Sequence, residues 1–364
     1  MMDHRVKILF TIPNFDTAGS GKVVYDLVKG LDKAKFDVSI ACNHDRGDFF
    51  KEVQKLGVPI FLLDTTAEYR PYHTLYGRIK PIIKFFKENQ FEIIHSWHWS
   101  SDWTEVLAAK FAGTKWLYTK KAMSWGNRHW KIRSFLADYI ITINHEMVNY
   151  FSYKKNQQLI PIGIDVNYYT PEFSKPKEID KDQFKIVAVA NLVPVKGIEI
   201  ILKAMQLLND KNLRLEVVGN DEHEYATTLK KVTGDLGLND QVRFTGKKQD
   251  VRPFINAADV YIIPTLDEGR KEGMPIALVE AMSMGIPVLG SDISGINFVL
   301  KDFPELMFEA SNEKALAKKI SEMKNNGENY RREVGNSLRK YSREHFSVDQ
   351  FISEHEELYL KLAR

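Results

Sequence analysis

Short runs of aliphatic and β-branched residues alternate along the first half of the chain with stretches whose apolar positions recur at helical spacing. The strand-like runs are VKILFTI (6–12), DVSIAC (37–42), PIFLLD (59–64), EIIHSW (92–97), KWLYTK (115–120), YIITIN (139–144) and QLIPIG (158–163). Between them lie amphipathic segments such as GKVVYDLVKGL (21–31), DFFKEVQKLG (48–57) and WTEVLAAKFAG (103–113). Strands separated by helices predict a parallel sheet with crossover helices. Residues 166–183 are rich in Pro, Lys and acids, lack periodicity and read as a linker. The alternation then restarts: FKIVAVAN (184–191), KGIEIILKAMQLLND (196–210), LRLEVVG (213–219), a helix near 223–236, QVRFTG (241–246), VRPFINAA (251–258), DVYIIPT (259–265), PIALVEAMSMG (275–285) and PVLGSD (287–292). Residues 312–364 read as wholly helical.

The pattern predicts an α/β protein of two doubly wound, Rossmann-like domains facing a central cleft. The first spans 1–165, the linker 166–183 and the second 184–345; a final helix, 346–364, is expected to pack back on the first domain. Open parallel sheets bind ligands at the carboxyl ends of their strands. Two such domains suit a reaction that joins two molecules, one held by each.

Composition narrows the class. With 364 residues, 44% of them hydrophobic and 27% charged, the chain can bury two cores and is not disordered. No run approaches the roughly 20 apolar residues of a membrane-spanning helix. A single cysteine, Cys42, excludes an intramolecular disulfide. Together with an N-terminus that reads as a strand, it leads us to expect a cytoplasmic protein, with peripheral contact at the inner face of the membrane. Net charge is +3, but residues 1–165 hold 23 Lys/Arg against 17 Asp/Glu, and the remainder 28 against 31. The basic first half suits an anionic partner.

Two glycine-containing stretches bear on chemistry. TAGSGKVV (17–24) superficially matches a nucleoside-triphosphate loop, but Asp16 and Val23 stand where that pattern requires Gly and Ser or Thr. What remains is Gly19 and Gly21 before a helix, where backbone can approach an anion closely. In EGMPIALVE (272–280), Pro275 fits the first helical position. Glu272 then precedes the helix mouth, and Glu280 lies roughly 7–8 Å along its axis. A diphosphate would be drawn to that mouth, with a carboxylate for hydroxyl groups near either end. Lys196, in NLVPVKG (191–197), is placed to neutralise such a phosphate.

Taken together, EGMPIALVEAMSMGIPV and LVPVKG resemble the retaining glycosyltransferases of family four, which have the two-Rossmann GT-B fold. AGSGKVVYDLVKGL, LIPIGIDVNYYTP and VRFTGKKQDVRPFINAADVYIIPT extend the resemblance over most of the chain. The resemblance implies that Glu272 binds the donor sugar, Glu280 the nucleotide ribose and Lys196 the diphosphate. It places Gly246 and Lys247 along the base, backbone around Gly273, Met274 and Ile276 at the phosphates, and Gly19 and Gly21 as the facing wall. It also implies an Arg where this chain has Asn191, which cannot neutralise charge; Arg270, Lys271 or Lys22 are candidates to compensate. His98 is a candidate at the reacting carbon, against the alternative of a packed histidine. His95 reads as structural.

No acidic residue lies between Glu105 and Asp138, an interval holding Lys115, Lys120, Lys121, Arg128, Lys131 and Arg133 among Trp116, Tyr118, Trp125 and Trp130. We expect Lys120, Lys121, Trp125 and Arg128 to contact an anionic glycan or lipid-linked acceptor; core aromatics beside solvated lysines are the alternative. No nucleic-acid motif is present. The expected activity is retaining transfer of a hexose from a UDP or GDP sugar in cell-surface polysaccharide synthesis, without a cofactor or obligatory metal. A non-catalytic sugar-nucleotide-binding protein and a sugar-nucleotide epimerase are the alternatives.

Overall fold

The computed structural model describes residues 4–16, 18–123, 127–171, 183–268 and 273–363. The chain forms two compact units: Met1–Gly163 with Val348–Arg364, and Ile164–Ser347.

In the first unit, strands β1 (Val6–Thr11), β2 (Phe36–Cys42), β3 (Ile60–Leu62), β4 (Ile93–Ser96), β5 (Lys115–Lys120), β6 (Tyr139–Thr142) and β7 (Gln157–Leu159) alternate with helices. These are α1 (Ala18–Gly30), α2 (Asp48–Gln54), α3 (Leu75–Asn89), α4 (Thr104–Ala112), α5 (Arg128–Leu136) and α6 (His145–Tyr150). The strands pair in parallel in the order β3-β2-β1-β4-β5-β6-β7. Because both faces are covered, β1 is apolar on both: Ile8, Leu9 and Phe10 are all fully buried. Leu9, Ile94, Trp116 and Tyr118 form one core with Ile79 and Phe86 of α3 and Val106 of α4.

The second unit repeats the plan. Its elements are β8 (Phe184–Val189), α7 (Ile198–Leu208), β9 (Leu213–Val218), α8 (Glu224–Asp235), β10 (Val242–Phe244), α9 (Arg252–Asn256), β11 (Val260–Ile263), α10 (Ile276–Ser283), β12 (Val288–Ser291), α11 (Ser294–Val299), β13 (Met307–Phe308), α12 (Glu313–Asn325) and α13 (Gly327–His345). Its parallel sheet runs β10-β9-β8-β11-β12-β13. Helix α13 approaches the turn after α10 so closely that a Cβ on Gly335 would lie 2.0 Å from the Gly285 carbonyl.

One feature differs from the sequence reading. Residues 164–171 are fixed on the second unit: the Tyr169 carbonyl accepts a hydrogen bond from Ser283 Oγ at 2.7 Å, and Thr170 Oγ1 accepts one from Arg339 at 2.9 Å. The rest of the expected linker, 172–182, lies outside the described residues. The run after residue 312 is three helices, the last of which, α14 (Val348–Ala363), belongs to the first unit. Its Tyr359 is fully buried and packs edge-on against Phe10 and Phe36. Among the described residues no helix is long and apolar enough to cross a membrane.

Candidate active site

Each sheet has one point where the strand order reverses. In the second unit it lies between β8 and β11, which pair directly although α7, β9, α8, β10 and α9 separate them in sequence. At such a reversal the carboxyl ends of two neighbouring strands expose backbone, the place where ligands of wound sheets sit.

The loop after β8 is Ala190–Gly197. Pro194–Lys196 form a single 3-10 turn, after which Gly197 takes φ +63° and starts α7. Gly197 is required on two counts. Its φ suits glycine, and a Cβ would stand 2.2 Å from the carbonyl oxygen of Pro264. The Leu266 amide donates to the Val195 carbonyl at 2.8 Å. The two loops are thus clamped together, which fixes half-buried Lys196 beside the segment following β11. On the other flank, a Cβ on Gly219 would meet the Ala190 carbonyl at 2.1 Å, and the Gly219 amide donates to the Gly246 carbonyl at 3.2 Å. Gly246 itself has φ +74°. The strand ends before Gly246, Gly219 and Ala190 therefore form a continuous backbone rim, with Lys247 exposed beyond it.

Helix α10 begins at this rim. Pro275 precedes its first residue as the cap (φ −81°, ψ 105°), one position earlier than the sequence reading placed it. The reason is its ψ, which is extended rather than helical. Met274 is buried, Ile276 partly so. A pocket of about 40 Å³ opens at the helix mouth, lined by Lys196, Pro264, Thr265, Pro275, Ile276 and Ala277 together with the ends of β8 and β11. So Lys196 and Ile276, distant in sequence, converge here, with Met274 two residues before Ile276. Gly273 immediately precedes them; Glu272 lies outside the described residues, as do Arg270 and Lys271.

Glu280, one turn further into α10, is half-buried. Sequence reasoning missed its partner, Tyr169: burial first, then the Glu280 carboxylate that accepts its hydrogen bond, push the phenol well above its ordinary value. Tyr168 beside it stacks under Arg252, whose guanidinium carbon is 3.7 Å from the ring centroid, and Arg252 also binds Asp250 at 2.7 Å. The only sequence signal for this anchor was the tyrosine pair in DVNYYTP. Asn191 is exposed, and its carbonyl accepts from the Val193 amide at 2.8 Å. Lys22, a candidate to compensate for it, is ion-paired to Asp26 within the first unit.

The first unit's reversal lies between β1 and β4. Gly19 sits after β1 with open space around it and a non-helical backbone that breaks the start of α1. Gly21 has a packing role: a Cβ there would be 3.0 Å from the Phe15 ring. His98, after β4, is 5% exposed, with Nε2 3.3 Å from Thr65 Oγ1 and 3.7 Å from Glu105 Oε1. Burial holds its pKa below the ordinary imidazole value, against the opposing pull of Glu105. His95 is fully enclosed, with Nδ1 2.6 Å from Tyr359 Oη and Nε2 2.8 Å from Thr119 Oγ1.

In the basic and aromatic run of 115–133, Lys115, Arg128 and Lys131 are exposed, whereas Trp116, Tyr118, Lys120 and Arg133 are buried. Arg133 is fully buried and donates to Ser96 Oγ at 3.0 Å and to the Asp102 carbonyl at 2.6 Å, with Trp116, Tyr118 and Trp130 around it. Glu105 is its buried counter-charge, accepting from Thr65 and Ser96 at 2.6 Å each and from Trp116 Nε1 at 3.2 Å. Burial raises the Glu105 pKa, but His98, Arg133 and these hydroxyls together outweigh it and hold the group below its ordinary value. Lys120 is buried too, its ammonium 3.9 Å from the centroid of Trp130, so it does not stand on an open surface as expected. The reason is pairing: rings and carbonyls solvate cations that the sequence alone places outside. Lys121 is half-buried, donates to the Trp97 carbonyl at 2.5 Å and lies near the Trp97 and Trp99 rings. Arg128 is exposed at the start of α5. Trp125 lies outside the described residues.

The family model described as Glycosyltransferase Family 4 matches residues 17–194, and that described as Glycosyl transferases group 1 matches 170–344. Amylovoran biosynthesis glycosyltransferase AmsK of Erwinia amylovora is 33% identical over 118 residues, 31% of this chain and 28% of that protein. The UDP-Gal:alpha-D-GlcNAc-diphosphoundecaprenol alpha-1,3-galactosyltransferase of Escherichia coli is 29% identical over 154 residues, 40% of this chain and 38% of that one. The matched stretches thus span less than half of either relative. The crystal structure of Anabaena HepE in complex with UDP superimposes with a TM-score of 0.83 at 16% identity, covering 98% of this chain and all of that one.

Proposed function

The chain belongs to the family-four glycosyltransferases of GT-B fold, and from that premise we propose that it moves a sugar from a nucleoside-diphosphate donor to a hydroxyl of a glycan or lipid-linked acceptor, with retention at the anomeric carbon, in polysaccharide synthesis. One observation carries the reading. At the β8–β11 reversal, the Gly197 clamp sets Lys196 beside the mouth of α10, where first-turn amides and the helix dipole favour an anion. In this reading the diphosphate lies there, and Glu280, steadied by Tyr169, accepts hydrogen bonds from the ribose. Glu272 would meet the donor sugar, and the Gly246–Lys247 rim the base. The UDP complex of the structurally similar HepE supports a uridine donor. The diphosphoundecaprenol-linked acceptor named for the Escherichia coli relative supports a lipid-linked one.

Chemically, the leaving diphosphate develops negative charge as the anomeric bond loosens. Lys196 and the α10 amides stabilise that charge more than they stabilise the bound donor, which lowers the barrier. The acceptor hydroxyl would enter on the face the diphosphate leaves. In the first unit, Lys121, Arg128 and the β4 loop bearing His98 are the groups proposed to meet the acceptor.

The test is a panel of UDP and GDP sugars read first by thermal shift, since a bound donor stabilises by RT ln(1 + [L]/Kd). Proton NMR of the anomeric signal then follows turnover with a diphospholipid-linked sugar acceptor. Retained configuration is expected. An inverted product contradicts the mechanism, binding without turnover over the panel favours a non-catalytic protein, and turnover of donor without acceptor favours an epimerase.

A further inference from the structure

Thr265 stands two residues past the end of β11, after Pro264, at the sheet reversal. It is 1% exposed, and its hydroxyl Oγ1 is buried without a hydrogen-bond partner. A hydroxyl in that condition costs free energy in the empty protein and calls for a partner from outside the chain. Thr265 lines the same pocket as Lys196, Pro275, Ile276 and Ala277. The pocket, at about 40 Å³, has room for roughly three waters. That admits the oxygens of a phosphate and excludes a pyranose or a nucleobase.

The neighbours decide the chemistry of the occupant. They supply one ammonium, the first turn of a helix and apolar walls from Ile262, Ile263 and Ala188. Among the described residues no carboxylate lines the pocket. A threonine hydroxyl both donates and accepts. Beside a cation and helix amides, its useful role is to donate to an anionic oxygen.

We propose that Thr265 is a donor-binding residue whose hydroxyl hydrogen-bonds the terminal phosphate of the nucleoside diphosphate, sharing that group with Lys196 and the α10 amides. The proposal rests on the assignment of this rim as the diphosphate site. It adds a neutral donor to the pocket that Lys196 lines. It also accounts for a buried hydroxyl that no contact within the protein explains.

Valine matches threonine in shape without the hydroxyl, and serine keeps the hydroxyl without the methyl. Calorimetric titration of wild type, Thr265→Val and Thr265→Ser with UDP and with UMP tests the proposal, alongside the melting midpoint of each unliganded protein. The expected result is about a tenfold loss of UDP affinity in Thr265→Val, UMP affinity within twofold of wild type, and Thr265→Ser within about threefold for UDP. Unliganded Thr265→Val is expected to melt no lower than wild type, because it loses an unsatisfied group. UDP affinity unchanged in Thr265→Val overturns the proposal, as does an equal loss for UMP. A lower melting midpoint of Thr265→Val, with affinity intact in the folded fraction, shows a structural hydroxyl and overturns it too. If wild type binds neither UDP nor GDP, the diphosphate assignment itself fails and takes this inference with it.

Discussion

Gly197 holds the proposed donor site together, and replacing it by alanine separates two costs. The first is conformational: at φ +63° a Cβ costs about 1–2 kcal/mol. The second is steric. The new Cβ would stand 2.2 Å from the Pro264 carbonyl oxygen and 2.9 Å from Leu266 Cδ2, so a backbone segment has to move by close to an ångström. Overpacking of that kind costs about 1–3 kcal/mol. Gly237 is the internal control. It has a similar φ of +68°, but a Cβ there meets nothing within 4 Å. Gly237→Ala therefore carries the conformational cost alone. Urea unfolding of the second unit, followed by hydrogen exchange at β8 and β11, should place Gly197→Ala about 2–5 kcal/mol below wild type and Gly237→Ala about 1–2 kcal/mol below. The displaced loop also carries Lys196, so Gly197→Ala should lose nucleoside-diphosphate affinity while Gly237→Ala keeps it. Equal destabilisation of the two variants with donor affinity intact in both would refute the clamp.

Further outcomes follow from the same geometry. Tyr169→Phe removes the hydrogen bond to Glu280 and should weaken nucleotide binding several-fold by calorimetry, with little change in global stability. Glu105→Ala strands the buried Arg133 charge and should cost about 3–5 kcal/mol in chemical denaturation, whereas Glu105→Leu with Arg133→Met should cost markedly less. Burial lowers the His355 pKa from 6.5 to about 4, so the unfolded chain takes up that proton first. Stability from this group is complete above about pH 6.5 and is lost as pH falls towards 4, by about 3 kcal/mol. His355→Leu should flatten the acid limb of stability against pH without abolishing it, because burial lowers the pKa of His95 in the same direction.

The strands were legible because two covered faces demand unbroken apolar runs: β1 to β6 of the first unit and β8 to β12 of the second fall on segments chosen from pattern alone, while β7 (Gln157–Leu159) shares only Gln158 and Leu159 with QLIPIG. β13 was missed because two residues, Met307 and Phe308, are too few to show a period. Helix α5 was hidden by its composition. RHWKIRSFL reads as a basic surface run, and its burial of Arg133 depends on Glu105 arriving from another helix, a pairing no local pattern encodes. In the site, Lys196 and the α10 mouth could be read from sequence because both follow strand ends. Tyr169 and Thr265 could not: one acts through a chain segment packed on from outside the repeat, and the other shows only as a hydroxyl that the fold leaves without a partner.

The most direct measurement is a crystal structure of the protein with the best-binding nucleoside diphosphate. The account predicts its phosphates at the start of α10, within hydrogen-bonding distance of Lys196 Nζ and the amides of Ile276 and Ala277, with the ribose at Glu280. A fully occupied nucleotide whose phosphates lie away from Pro275 and Lys196 would contradict it.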